Sequence, residues 1–473
     1  MDRSREAFAP RIYYLHPLMA GPIPEWTRHL MRCSEMGFDH LGCAPLFAPG
    51  SDGDIFVTSD FDRVHPALHA TGAADDVIRE LAKTCDRFGL KLILDVVLGR
   101  AAADCSLVTT APHWFLPGPE RVRIDPRSEL PRPGVASARF DNPAAGRELA
   151  DWWTERLGRL ARAGVAGFRC TDPQHVPPPL WRDIIQGVRR DHPDCRFLAW
   201  TPGLAWSTSA TLRGIGFDAA FSSLAWWNER ATWFVEEHEL LRQIGSVVAC
   251  PEAPFGPRLA RRFGPTVDLQ ALYPHMLRLA ATTGSGLLIP MGFEFASVQD
   301  MDSRRTTPDD LAEAEATGPD LTAPVTAANE LCARLACLRL AGEMRSLAPV
   351  DGSVTALLRS DHPDARHACK PIVVLVNTEP RPNPLPLGLD PLPPSAGAGF
   401  GQPETLEGVC EPAAALAASE VRVVRLRRST HVSAPMEITA GKAARTLPRI
   451  AIESITPAVD GGRFPAKRVV GET

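Results

Sequence analysis

The feature that most constrains the fold is a regular alternation of two segment types between residues 11 and 345. Short apolar runs of strand length are separated by longer segments whose apolar residues recur at helical spacing. Eight strand–helix units of this kind are predicted. Strands that alternate with helices indicate a parallel sheet, and eight such units favour a closed (β/α)8 TIM barrel.

The fourth predicted strand, 164–173, organises the functional interpretation because barrel enzymes carry their chemistry at the carboxyl ends of the strands. Side chains alternate along a strand, so Arg169 and Thr171 point to one face while Cys170 and Asp172 point to the other. The other strands are predicted at 12–17, 38–45, 90–97, 196–201, 219–226, 246–252 and 286–292.

The domain boundaries follow from changes in this pattern. Residues 1–345 are the predicted barrel, with 100–141 as a short irregular loop insertion after the third strand. Strand-like runs without intervening helices predict a small all-β sandwich domain over 346–428. A polar linker is expected at 429–445, and 446–473 is expected to open a further module.

Composition excludes several classes of protein. The net charge is −5 and no basic tract stands out, which argues against nucleic acid and anionic membranes as partners. The 11 cysteines are scattered singly, which is typical of thiols in a reducing cytoplasm. Neither a signal peptide nor a membrane span is expected. No metal and no other cofactor is expected, because the Cys and His residues have no metal-ligand spacing.

Four short motifs lie at or near the predicted barrel strands: Asp95-Val96-Val97, Gly164-Val165-Ala166-Gly167-Phe168-Arg169, Phe197-Leu198-Ala199 and Met291-Gly292-Phe293-Glu294-Phe295. These motifs resemble glycoside hydrolase family 13, the α-amylase-like enzymes. Residues 449–472 resemble the amino-terminal opening of the α-1,4-glucan:maltose-1-phosphate maltosyltransferases, to which the chain is most similar within that family.

The resemblance implies a retaining mechanism, in which one carboxylate attacks the anomeric carbon and a second acts as acid and then base. The family nucleophile lies two residues after the Arg of the fourth strand, and this chain has Thr171 there. The family acid follows Phe-Leu-Ala, and this chain has Trp200 there. Because neither side chain replaces a carboxylate, we expect a catalytically degenerate barrel.

Other residues remain candidates for a site. Asp172 and Glu252 are candidate catalytic carboxylates, if Asp172 lies beyond the end of its strand. Asp95, Arg169, Trp200 and Trp226 are candidate substrate-binding residues. For Asp95 the alternative is a buried partner of Arg169, and for the two tryptophans it is core packing.

The expected function lies in α-glucan (glycogen-type) metabolism. The resemblance implies a glucan-binding or scaffold module whose partners are an α-glucan or malto-oligosaccharide and a fused or tandem maltosyltransferase. The alternative is an active α-glucan maltosyltransferase or glycoside hydrolase that uses displaced carboxylates. A third hypothesis, an interaction domain that binds no sugar, requires a barrel mouth filled with apolar side chains.

Overall fold

The structure, a computed structural model, describes residues 8–118, 120–125, 128–132, 134–264, 268–335, 338, 342–347, 353–365, 368, 370–384, 404–405 and 415–425. The predicted linker at 429–445 and the predicted module opening at 446–473 lie outside these residues. By internal contacts the chain divides into one compact unit over Met1–His431 and a second over Val432–Thr473. Only the first unit contains described residues.

Eight parallel strands close into a barrel, in which the first strand pairs with both the second and the eighth. Every strand is buried along most of its length, as strands covered by helices must be. The strands are Arg11–Leu15, His40–Cys43, Lys91–Val96, Gly167–Cys170, Arg196–Ala199, Ala219–Phe221, Ser246–Ala249 and Gly286–Pro290. The predicted (β/α)8 barrel is confirmed.

The strands are shorter than predicted at their carboxyl ends. The fourth ends at Cys170, so Thr171 and Asp172 belong to the following turn. The sixth ends at Phe221 and is followed by a 3-10 turn, Leu224–Trp226, which places Trp226 in a loop. Both differences move candidate residues from a strand face to the barrel rim.

One α-helix follows each strand on the outside of the barrel. The fifth of these is short, with six residues. The helices are Thr27–Glu35, Ala74–Arg87, Pro143–Arg162, Pro178–Asp191, Trp206–Thr211, Trp233–Leu241, Leu269–Thr283 and Thr322–Arg334. Additional short helices are Pro17–Ala20, Ser106–Thr110, Leu259–Phe263 and Pro308–Thr317.

The insertion after the third strand contains strands that the sequence pattern did not reveal. Arg100–Ala102 pairs with Val135–Ser137, and Glu120–Asp125 pairs with Ser128–Arg132, both antiparallel. A further antiparallel pair, Phe47–Pro49 with Thr58–Val64, follows the second barrel strand. Prolines and charged residues interrupt the alternation of apolar and polar side chains in these segments. The hydrophobic pattern therefore does not predict them as strands.

A domain of antiparallel sheets follows the barrel. Its largest sheet pairs Met344–Ser346, Val354–Arg359, Ile372–Asn377, Val421–Arg425 and Glu404–Thr405, in that order. Asn383–Pro384 pairs with Ala415–Leu416 in a second, two-stranded sheet. One face of the large sheet, including Leu357 and Val374, belongs to the barrel core, and the opposite face packs on Leu416. The predicted small β domain is therefore present.

Among the residues that the structure describes, no helix is both long and apolar enough to cross a bilayer.

Candidate functional site

The third and fourth barrel strands bring Asp95 and Arg169 side by side inside the barrel. The two residues are partners in the parallel register of these strands. Arg169 donates from Nε to Asp95 Oδ1 over 2.7 Å and from Nη2 to Asp95 Oδ2 over 2.5 Å. Asp95 is 1% exposed and Arg169 is 4% exposed. This bidentate pair is the buried alternative that the sequence allowed for Asp95.

Aromatic side chains enclose the Arg169–Asp95 pair. The Tyr14 hydroxyl donates to Asp95 Oδ2 over 2.6 Å, and the guanidinium lies 4.3 Å from the centre of the Tyr14 ring and 4.7 Å from that of Trp200. Burial and the neighbouring Asp95 raise the pKa of Tyr14 well above 10, although Arg169 acts in the opposite direction. Tyr14 is therefore a neutral hydrogen-bond donor, and both Asp95 oxygens are occupied.

Burial works against the charge on Arg169, but the attraction of the Asp95 carboxylate outweighs it and raises the pKa of the guanidinium. The arginine thus stays charged and holds the Asp95 carboxylate as its counter-ion. A carboxylate bound in this way is not free to attack a sugar.

Thr171 and Trp200 lie at the two positions that the family resemblance assigns to catalysis. The Thr171 hydroxyl donates to the Val96 carbonyl over 3.3 Å. The Trp200 ring packs on Phe221, with centroids 5.0 Å apart, and on Arg169. Both residues are half-buried. Neither side chain has a proton that it can exchange near neutral pH.

Asp172 lies on the turn after the fourth strand, as the early strand end allows. An ion pair joins it to Arg100, with 2.9 Å between Nη2 and Oδ2, and the Asp172 side chain is 25% exposed. Gly99 permits this close approach of the two loops, because a Cβ at Gly99 would lie 2.8 Å from the Cβ of His175. Asp172 is thus a partly accessible carboxylate with its own cation.

Glu252 follows the seventh strand and is fully engaged in the protein interior. Arg258 donates from Nη1 to Glu252 Oε1 over 2.7 Å, and the backbone N–H of Leu259 donates to Oε2 over 2.5 Å. The Glu252 side chain is 1% exposed. Arg258 also donates to the carbonyls of Gln299 and Met291, so Glu252 belongs to a network that ties the seventh and eighth loops together. Asp172 and Glu252 therefore have separate cationic partners.

Comparison with known proteins identifies the relatives of this chain. It is 34% identical to the "Alpha-1,4-glucan:maltose-1-phosphate maltosyltransferase" of Burkholderia pseudomallei, over 99% of the chain and 43% of the relative. The chain is a homologue of this maltosyltransferase. A family model, "Alpha-1,4-glucan:maltose-1-phosphate maltosyltransferase, domain N/S", matches residues 448–473. The resemblance drawn from the sequence is confirmed.

More distant maltosyltransferases match over part of the chain. The "Alpha-1,4-glucan:maltose-1-phosphate maltosyltransferase 2" of Streptomyces coelicolor is 29% identical over 45% of this chain and 34% of its own length. The chain therefore spans less than half the length of these relatives.

Solved structures show the same fold at low identity. The α-amylase of Anoxybacillus has a TM-score of 0.67 at 16% identity, covering 89% of this chain and 98% of its own. The trehalose-6-phosphate hydrolase of Bacillus licheniformis has a TM-score of 0.68 at 13% identity, covering 88% and 99%. The maltosyltransferase homologue thus has an α-amylase-like architecture.

Aromatic residues gather over the barrel centre of this maltosyltransferase homologue. Phe255, in the seventh loop, has a positive φ of 60° and contacts three rings. Ring centroids lie 6.2 Å away for Tyr14, 5.3 Å for His16 and 4.8 Å for Phe56. A non-glycine residue in this conformation is held by its surroundings, so the Phe255 ring is a fixed part of the mouth.

Two further groups near the mouth of the homologue are structural. His16 is buried, accepts a hydrogen bond from the Met19 N–H, and has its pKa lowered to about 4 by burial. Glu294 is buried and accepts from the Tyr13 hydroxyl over 2.7 Å and from the Gly292 N–H over 3.0 Å. Within the described part of the chain, no group of three His, Cys, Asp or Glu side chains is arranged to hold a metal ion.

The paired tryptophans after the sixth strand have opposite environments. Trp227 is buried and stacks on Phe234, with centroids 4.3 Å apart and planes at 17°. Trp226 is 47% exposed at the rim.

The sequence did not reveal the roles of Tyr14, Arg100 and Phe255. Nothing in the sequence paired Arg100 with Asp172.

Proposed function

We propose that this barrel is a catalytically degenerate α-glucan-binding or scaffold module in glycogen-type α-glucan metabolism. The observation that carries the proposal is the composition of the mouth. Thr171 and Trp200 stand at the two positions that the family resemblance assigns to catalysis, and the Asp95 carboxylate beside them is bound on both oxygens by Arg169 and Tyr14. Loss of a nucleophile alone typically costs several orders of magnitude in rate.

The ligand class is inferred from homology. The relatives are named for an α-1,4-glucan acceptor and a maltose 1-phosphate donor. We infer that the module binds α-glucan or malto-oligosaccharide beside a fused or tandem maltosyltransferase. Buried free thiols such as Cys33, Cys43 and Cys170 support a reducing, cytoplasmic location.

A second candidate function is an active maltosyltransferase or glycoside hydrolase with displaced carboxylates. Asp172 favours it, because this side chain lies beyond the end of its strand and is partly exposed. Glu252, the proposed second carboxylate, opposes it, since both of its oxygens are bound in the interior. The degenerate module is therefore the better supported function.

The test combines two assays on the purified chain. We expect no phosphate release from maltose 1-phosphate in the presence of glycogen, and retarded migration in a native gel that contains glycogen. Asp172→Asn is the diagnostic variant, and Asp183→Asn, at an exposed helical position, is its matched control. Phosphate release that persists in Asp183→Asn and vanishes in Asp172→Asn would refute the degenerate module.

A further inference from the structure

Exposed tryptophans concentrate on one arc of the barrel rim. Trp206 is 54% exposed, Trp226 47% and Trp233 37%. Each lies on the segment that follows the fifth or the sixth strand. A tryptophan is among the most costly side chains to leave in water, so three in one region indicate a surface that binds something.

The topology places these three residues on adjacent segments of the rim. The fifth and sixth strands are adjacent and parallel, so the loops after them leave the barrel at the same rim. Trp206 and Trp233 are the first residues of the helices Trp206–Thr211 and Trp233–Leu241, which pack against each other. Packed helices lie about 8–10 Å apart. Trp226 precedes the second of these helices within the same loop.

The loop that carries Trp226 is held in place by contacts with the helix that follows it and with the β domain. The Trp227 indole N–H donates to the Ala231 carbonyl over 2.8 Å while its ring stacks on Phe234. Arg230 donates to the Thr378 hydroxyl over 2.6 Å and pairs with Glu379 of the β domain at 2.5 Å. A surface fixed before binding loses little conformational entropy when a ligand arrives.

We propose that Trp206, Trp226 and Trp233 form an aromatic platform that binds an α-glucan chain on the rim, apart from the degenerate mouth. The apolar C–H faces of glucose rings pack on indole faces, and polar side chains at the ring edges bond the hydroxyls. Asn228 and Thr232, which lie between Trp226 and Trp233 in the sequence, are exposed. Because the Asn228 Oδ1 accepts from the backbone N–H groups of Arg230 and Ala231, the two residues supply the Asn228 amide N–H and the Thr232 hydroxyl.

The polar surroundings favour a sugar over a protein as the occupant. The core of a protein interface is a continuous apolar patch depleted of charged residues. Here Ser207, Asn228, Thr232 and Glu236 interrupt the indoles, and all four are exposed. The platform therefore offers separated aromatic faces with hydrogen-bonding groups at their edges.

This inference rests on the proposed glucan binding, and its test separates the two claims. Retardation by glycogen in native gels is compared between the wild type, single Trp→Ala variants at the three positions, and the triple variant. We expect each single change to weaken binding about 2- to 10-fold, and the triple variant to migrate as if no glycogen were present. Trp→Phe at the same positions keeps a ring and should retain most of the retardation.

Met31→Ala, an exposed apolar residue on an outer helix, is the matched control and should leave retardation unchanged. A triple variant retarded as strongly as the wild type overturns the platform but leaves glucan binding intact. A wild type that glycogen does not retard overturns the proposed glucan binding as well. A triple variant that changes only from dimer to monomer in sedimentation assigns the tryptophans to a protein interface and overturns the platform.

Discussion

At the scale of single residues, the buried charge of Arg169 explains why the barrel interior contains a carboxylate beside it. The family resemblance includes Arg169 and places the family nucleophile at the position of Thr171. An arginine inside a barrel without a counter-charge is very unfavourable, so Asp95 is bound to it on both oxygens. Asp95 thus neutralises a charge in the barrel interior.

Asp95→Ala should therefore destabilise the fold strongly, because it leaves Arg169 buried and unpaired. We expect a loss of about 3–5 kcal/mol in the free energy of unfolding, measured by chemical denaturation. Asp183→Ala removes the carboxylate of an exposed pair with Arg147 and should cause no resolvable change. An equal, small effect of both substitutions would show that the Arg169–Asp95 pair is not needed to offset a buried charge.

His275 is a second residue whose charge matters to the fold. Its Nδ1 lies 2.7 Å from the Ser419 carbonyl and its Nε2 lies 2.8 Å from Glu229 Oε1, so both nitrogens face acceptors. Burial tends to lower the pKa of His275, but Glu229 and the Ser419 carbonyl outweigh it and raise the pKa above 6.5. The imidazolium thus links the sixth loop to the β domain.

A raised pKa gives stability that is complete below the unfolded pKa and is lost as pH rises through the folded one. Glu229→Gln removes the charge partner and should cost about 1.5–3 kcal/mol near pH 6, with a smaller cost near pH 9. Unfolding free energies at the two pH values measure the difference. Glu148→Gln, in the exposed His113–Glu148 pair, is the control. A cost for Glu229→Gln that is independent of pH would contradict a charged His275.

At the scale of elements, the early end of the fourth strand determines the position of the Asp172 carboxylate. The strand stops at Cys170, and Asp172 reaches Arg100 from the following turn. Gly99 lies beside this turn, because any Cβ there would meet the His175 side chain at 2.8 Å. The backbone of the loop after the third strand therefore packs directly against the His175 side chain of the loop after the fourth.

Gly99→Ala should destabilise the protein by about 1–3 kcal/mol through this overlap. Gly158→Ala is the matched control, because Gly158 lies inside the helix Pro143–Arg162 with no atom near its missing Cβ. Alanine at a helix interior position should stabilise by about 0.5–1 kcal/mol. Denaturation midpoints of the two variants should thus shift in opposite directions. A shift of the Gly99→Ala midpoint in the stabilising direction would contradict the close packing.

At the scale of the whole molecule, the spacing of apolar residues along the sequence was sufficient to predict the barrel. Strands such as Gly286–Pro290 are buried on both faces, so their sequences are continuous apolar runs that predict buried strands. The carboxyl ends were less predictable, because Leu224–Trp226 continues the apolar run but forms a 3-10 turn. The partners of Glu252 and Asp172 could not be predicted from the sequence, because only tertiary packing brings Arg258 and Arg100 to them.

We propose that the mouth of this barrel contains no working nucleophile. Retaining enzymes of the resembled family form a covalent glycosyl–enzyme intermediate, which accumulates when a good leaving group is combined with a fluorine at the sugar 2-position. The direct measurement is the intact mass of the chain after incubation with 2-deoxy-2-fluoromaltosyl fluoride. We predict no increase in the mass of the wild type after incubation, and none in the mass of Asp172→Asn. A mass increase of one fluoromaltosyl group, mapped by peptide sequencing to Asp172, would contradict the claim.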